Sequence, residues 1–157
     1  MTARRPGPDH QDISGRLRAA LLDLASGEAP TPPPGCDPEL AAALHPYGSK
    51  GILQLAHSGS RMSSHDARVA LWAPSDVKSA ISPETPHIMT KNDIADLLAG
   101  YERSSRHVAE SAIDGIEIHS AHEYLLGQFL SPLSNQRTDA YGGSFDNRIR
   151  LVLEVLA

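Results

Sequence analysis

Three side chains that can donate a hydrogen bond, His119, His122 and Tyr124, fall in one short stretch of the 157-residue chain. Two neutral imidazoles can hold a carbonyl or nitro oxygen and stabilise the negative charge that develops there. A tyrosine hydroxyl close by can supply a proton to the adjacent carbon. The same two histidines could instead ligate a metal together with a carboxylate such as Glu117 or Asp66. On spacing alone both chemistries stay open. Gln54 stands near the end of an earlier apolar stretch. A buried glutamine by itself usually means only a satisfied amide, so its interest lies in that position. His57 reads as structural and Trp72 as a loop anchor. His45, His65, His87 and His107 read as surface residues.

The elements that must position these groups alternate. Glu39 to Leu44 is a short helix stopped by His45-Pro46. Gly51-Ile52-Leu53-Gln54-Leu55-Ala56 reads as a short buried strand ended by His57-Ser58-Gly59. Ser60 to Pro86 shows no sustained period and reads as one long loop, a length often reserved for function. Thr90-Lys91-Asn92-Asp93 resembles a capping box. Behind it Ile94, Leu97, Leu98, Tyr101, Val108 and Ala112 recur at helical spacing, with Glu102, Arg103, Arg106 and Glu110 as the solvated face. Asp114 to His119 is the second strand: Ile116 and Ile118 share one face, and Glu117 and His119 share the other. His119 then ends the strand, with His122 and Tyr124 in the loop that follows. Ser144 can cap a last helix whose Ile149, Val152, Leu153 and Leu156 share a face. Strand, helix, strand, helix is the pattern of a parallel sheet covered by helices, and such sheets keep their chemistry in the loops after the strands.

The run Asp114-Gly115-Ile116-Glu117-Ile118-His119-Ser120-Ala121-His122-Glu123-Tyr124-Leu125-Leu126, continued by Gln128-Phe129-Leu130-Ser131-Pro132, resembles the fourth-strand segment of the Old Yellow Enzyme family. Asn135, Arg137, Asp139, Tyr141-Gly142-Gly143-Ser144 and Asn147-Arg148 fit the same signature. Upstream, Gln54-Leu55-Ala56-His57-Ser58-Gly59 resembles that family's third-strand motif, and Leu71-Trp72-Ala73-Pro74-Ser75 the loop after it. The resemblance spans residues 47 to 157. It implies an α/β fold that is a fragment of a (β/α)8 TIM barrel. It also implies an oxidoreductase that binds FMN, takes a hydride from NADPH or NADH, and delivers it to an activated alkene or a related small-molecule acceptor. By position, His119 and His122 would bind the acceptor's oxygen, Tyr124 would be the catalytic proton donor, and Gln54 would bind the pyrimidine edge of the FMN cofactor. Arg137, Asp139 and the Tyr141 to Ser144 turn would be architectural. Some relatives carry an iron–sulfur cluster, whose cysteines would lie beyond this chain's last residue, so the cluster is not encoded in this chain.

Three departures from the family pattern stand out. Ser60 separates Gly59 from Arg61, where an arginine usually follows the glycine directly. Glu123 replaces a common glycine and adds a carboxylate beside the site. Ser111-Ala112-Ile113 replaces a glycine-containing turn, so a strained non-glycine residue is expected there.

Composition bounds the rest. The net charge is −5, which argues against a nucleic-acid partner. No apolar run approaches the roughly 18 residues that cross a bilayer, so no membrane partner is expected. The single cysteine, Cys36, fits a reducing cytoplasm, and cytoplasmic localisation is the expectation. Residues 1–38 form a low-complexity Pro/Gly/Arg-rich segment expected to be disordered around a short helix over Arg16 to Leu24. Residues 39–157 form a partial barrel domain. A full (β/α)8 barrel takes about 250 residues, so a truncated or frame-disrupted gene product is expected, completed in a homo-oligomer or by a complementing chain. Two functions follow: a flavin oxidoreductase, or a non-catalytic remnant or interaction module that does not bind FMN.

Overall fold

The computed structural model describes residues 38–157; the segment before Pro38, with its expected disorder and the helix over Arg16 to Leu24, lies outside the described residues. Helix α1 (Pro38–Leu44) runs into a 3-10 turn over His45–Tyr47 that Gly48 ends at φ 70°. Strand β1 (Ile52–Leu55) follows. After it come a 3-10 turn (Gly59–Arg61), a four-residue helix α2 (Ser64–Ala67), and the two-residue strands β2 (Trp72–Ala73) and β3 (His87–Ile88). Helix α3 (Lys91–Ala109), strand β4 (Gly115–Ile118), and helices α4 (Leu125–Leu130) and α5 (Phe145–Leu156) complete the order.

The expected parallel unit is present. β1 and β4 pair in parallel, with Gln54 opposite Glu117 and Leu55 opposite Ile118. The stretch read as one loop, Ser60 to Pro86, contains helix α2 and strand β2, and β2 pairs in parallel with β3 just beyond it. His87 N donates to Leu71 O at 2.7 Å and Met89 N to Ala73 O at 2.9 Å. Two-residue strands offer too few positions for alternation to show, so periodicity could not reveal them.

Helix α3 starts where its cap requires. Thr90 Oγ1 accepts from Asp93 N at 3.2 Å, and the Asp93 carboxylate accepts from Thr90 N at 2.6 Å. This satisfies two donors at once. Its face of Ile94, Leu97, Tyr101 and Val108 is buried. Ile94, Leu97 and Tyr101 pack in one core with Leu55, Met89, Leu125, Leu126, Phe129 and Leu151, and Leu53, Ile116 and Ile118 join from the sheet. Helices α3, α4 and α5 therefore share one core with the Leu53, Leu55, Ile116 and Ile118 face of the β1–β4 pair. The other face is open, and Ile52 is 58% exposed. That corrects the expectation of a fully buried first strand: Leu53 and Leu55 face the helices, while Ile52 and Gln54 do not.

Two further expectations are corrected. The core stripe of α5 is Leu151, Val152 and Val155, whereas Leu153 and Leu156 are 55% and 62% exposed. The turn before β4 holds no left-handed residue, because among the described residues the non-glycine ones with positive φ are Arg68, His122 and Glu123. Ser111 handles that turn instead: its hydroxyl donates to Val108 O at 2.6 Å and accepts from Ile113 N at 3.1 Å.

Candidate active site

The carboxyl end of β4 delivers the groups. His119, one residue past the end of β4, is still tied to β1: its N donates to Leu55 O at 2.9 Å. The chain then turns sharply: Tyr124 N donates to Ala121 O at 3.0 Å, and Tyr124 is the N-cap residue of α4. His122 and Glu123 take left-handed φ values of 54° and 57° in succession. This conformation costs a non-glycine residue roughly 1–2 kcal/mol. The turn brings the three expected groups together. The His119 and His122 rings meet edge to face with centroids 5.0 Å apart, and the Tyr124 ring lies 4.6 Å from that of His119.

Their hydrogen bonds fix the tautomers. Ala121 N donates to His119 Nδ1 at 3.1 Å, so the neutral His119 ring carries its proton on Nε2. That Nε2 lies 3.1 Å from His122 Nδ1. His119 therefore donates to His122, whose own proton sits on Nε2 and points away from the pair. Donors line up from backbone to loop tip, and each bond polarises the next.

Gln54 lies on the open face of the sheet, exposed, beside Glu117 in the register. Residues 117 and 119 share that face, so the glutamine amide and the His119 cluster belong to one surface at one end of the sheet. The amide presents an N–H2 donor group beside a carbonyl acceptor. The metal alternative gains no support: among the described residues, no three His, Cys, Asp or Glu side chains are placed to hold an ion.

A bracket not foreseen from sequence ties the β1 loop to the β4 loop. Gln128 on α4 is buried, and its Nε2 donates to Glu123 O at 2.7 Å. Its Oε1 lies 3.5 Å from Ser60 N. Gly59, at φ 61°, leaves room for that amide, since a Cβ there would come within 2.7 Å of Gln128 Oε1. Arg61 Nη1 meets the Glu123 carboxylate at 2.5 Å across the same gap. Leu125 N adds a bond to His57 O at 2.9 Å. The two departures noted above, the displaced arginine and the extra carboxylate, thus pair with one another.

His57 lies beneath. It stacks on Trp72 with centroids 5.5 Å apart, and its Nδ1 accepts from Gly59 N at 3.0 Å. Burial pushes its pKa down to about 4, so it is neutral near pH 7. Farther out, Arg137 donates to both Asp139 oxygens (3.0 and 2.6 Å), to Pro74 O (3.1 Å) and to Met89 O (2.6 Å). The Arg137 hydrogen bond holds the Asp139 carboxyl below the usual range. Asn135, buried, donates to Phe129 O and Tyr141 O at 2.7 and 2.8 Å. These residues are architectural, as the resemblance implied for Arg137 and Asp139.

A parallel strand–helix–strand unit with polar loops at the carboxyl ends of its strands is the repeating unit of parallel α/β folds, the (β/α)8 barrel among them. The chain belongs to the NADH:flavin oxidoreductase / NADH oxidase family, which matches residues 38–157. It is 43% identical over 118 residues to an NADPH dehydrogenase of a Geobacillus strain, covering 75% of this chain and 34% of that protein. It is 39% identical over 120 residues to an NADH oxidase of Thermoanaerobacter brockii, covering 75% of this chain and 18% of that protein. Among solved structures, the Old Yellow Enzyme homologue of Zymomonas mobilis aligns with a TM-score of 0.65 at 31% identity, covering 74% of this chain and 35% of its own. Morphinone reductase in complex with tetrahydroNAD aligns with a TM-score of 0.72 at 28% identity, covering 76% and 38%. The chain thus spans about a third of the length of the first NADPH dehydrogenases it matches (34%). No described helix is long and apolar enough to cross a membrane.

Proposed function

We propose that this chain carries the acceptor side of an FMN-dependent NAD(P)H oxidoreductase that reduces an activated alkene or a related small-molecule acceptor. The observation that carries the reading is the meeting of His119, His122 and Tyr124 at the carboxyl end of β4. FMN, when bound, supplies a hydride that it has received from NADPH or NADH. The chain's own groups do the rest. His122 Nε2–H, backed by the bond from His119, meets the acceptor's oxygen first. The bond from His119 Nε2 polarises the His122 ring, so both imidazoles stabilise the charge that grows on that oxygen. The Tyr124 hydroxyl supplies the proton to the neighbouring carbon. Gln54 fits the pyrimidine edge of the flavin by its donor–acceptor pair and its place on the open face.

The test has two stages. Purified chain is mixed with FMN, and the flavin absorbance that stays with the protein is measured. A chain that stays colourless would support the remnant or interaction-module reading. Where flavin is held, Tyr124→Phe is expected to slow alkene reduction and leave flavin reduction by the nicotinamide largely intact. Equal loss in both half-reactions would remove the proton-donor role.

A further inference from the structure

We propose that Gln128 and Arg61 are positioning residues: together they clasp the left-handed His122–Glu123 step and so set the distance between the two imidazoles. The step is unusual, because two consecutive non-glycine residues hold φ values of 54° and 57°. Left-handed pairs of this kind relax unless the surroundings fix them. Two groups fix this one. From below, the buried Gln128 amide grips the Glu123 carbonyl at 2.7 Å. From above, the Arg61 guanidinium grips the Glu123 carboxylate at 2.5 Å. Both come through the β1 side: Arg61 belongs to its loop, and Gln128 abuts Gly59 and Ser60 of that loop.

The consequence falls on His122, which is one bond from the clasped residue. Its Nδ1 reaches His119 Nε2 at 3.1 Å only while the backbone keeps this turn. Glu123 therefore acts through its main chain and its carboxylate together. A glycine at this position would adopt the same φ freely but would offer Arg61 nothing to hold. The clasp makes the acceptor side depend on the β1 loop, whose strand carries the flavin-side Gln54.

This inference rests on the reading of His119 and His122 as acceptor ligands, but its test needs neither flavin nor activity. The full chain is labelled with 15N, and the scalar coupling between His119 Nε2 and His122 Nδ1 across their hydrogen bond is recorded near neutral pH. The coupling is expected in the unmodified chain. It is expected to vanish in Gln128→Met, which keeps the side chain's length and loses its amide, while α3 and α5 resonances stay in place. Arg61→Ala, which alters a partly exposed side chain and leaves the core intact, is expected to reduce it. Absence of the coupling in the unmodified chain, or its retention in a folded Gln128→Met, overturns the proposal. If Gln128→Met does not fold, full retention in Arg61→Ala overturns it. A coupling that behaves as expected in a chain that never takes up FMN would sink the flavin reading and leave the clasp standing.

Discussion

Removing Arg137 should unfasten three segments at once. Its side chain is 11% exposed, and the guanidinium makes four contacts: two to Asp139, one to Pro74 O after β2, and one to Met89 O after β3. Arg137→Met keeps much of the apolar stem and deletes all four. Breaking a buried pair from one side costs about 3–5 kcal/mol, but the Asp139 side chain is 33% exposed, so water recovers part of its share. The two carbonyls each lose a charged donor, at about 1–3 kcal/mol where nothing replaces it. A loss of about 3 kcal/mol results, or about 10 °C in melting temperature for a domain of this size. Arg137→Lys keeps the charge but cannot fork toward two oxygens and two carbonyls, so it should recover less than half. Urea denaturation of the three proteins measures this directly. The sign of the pH dependence follows from Asp139. Its folded pKa lies below the unfolded value because Arg137 donates to it. This stability is present above the unfolded carboxylate's pKa and is lost as pH falls through the folded one. The gap between wild type and Arg137→Met should therefore narrow in acid and stay constant near neutrality. A Met variant within about 1 kcal/mol of wild type, or a Lys variant equal to it, would refute the assignment of Arg137 as the joint between these loops.

Gly59→Ala should cost about 2–3 kcal/mol, since φ 61° penalises a Cβ and the new methyl meets the buried Gln128 amide at 2.7 Å; a urea midpoint that does not move would show that the amide yields freely. His57 should give an acid-sensitive slope: its pKa falls from 6.5 to about 4 on folding, so the unfolded chain binds the extra proton in that window. Stability on the order of 3 kcal/mol is then present above pH 6.5 and lost toward pH 4. His57→Asn should flatten that part of the stability profile, and an unchanged slope would show that other groups produce it.

Much of this architecture was legible in the sequence because local rules carried it. Thr90 and Asp93 announced a capping box, and the alternation Ile116, Glu117, Ile118, His119 gave both the strand and its faces. Tertiary context hid the rest. Helix α4 is six residues long, too short for period to separate it from loop, and its start is set by Tyr124 N donating to Ala121 O. Arg137 bonds Met89 and Pro74 across 48 and 63 positions, which no local pattern reveals. The site's three donors could be named from spacing and resemblance. The bond that orders them, His119 to His122, depends on backbone angles that glycine usually adopts and that Glu123 gave no reason to expect.

The pairing of β1 with β4 also sets a folding order. Gly51 N bonds the Asp114 carboxylate at 2.9 Å across a separation of 63 residues. Closing a loop of that length costs roughly 4 kcal/mol of chain entropy by the logarithmic closure law, before any sheet contact offsets it. The backbone hydrogen bonds of helix α3, by contrast, close within its own 19 residues and its cap. The helix is expected to form early and the sheet late. Lys50, His45 and Gly51 converge on Asp114 at the end of the strand pair remote from His119, which makes that end the natural point of closure. The strands then zip toward His119, and pulse-labelled hydrogen exchange should find the amides of α3 protected before that of His119. On that order the His119 end of the sheet, with the His122 and Tyr124 loop, is expected to be fastened last.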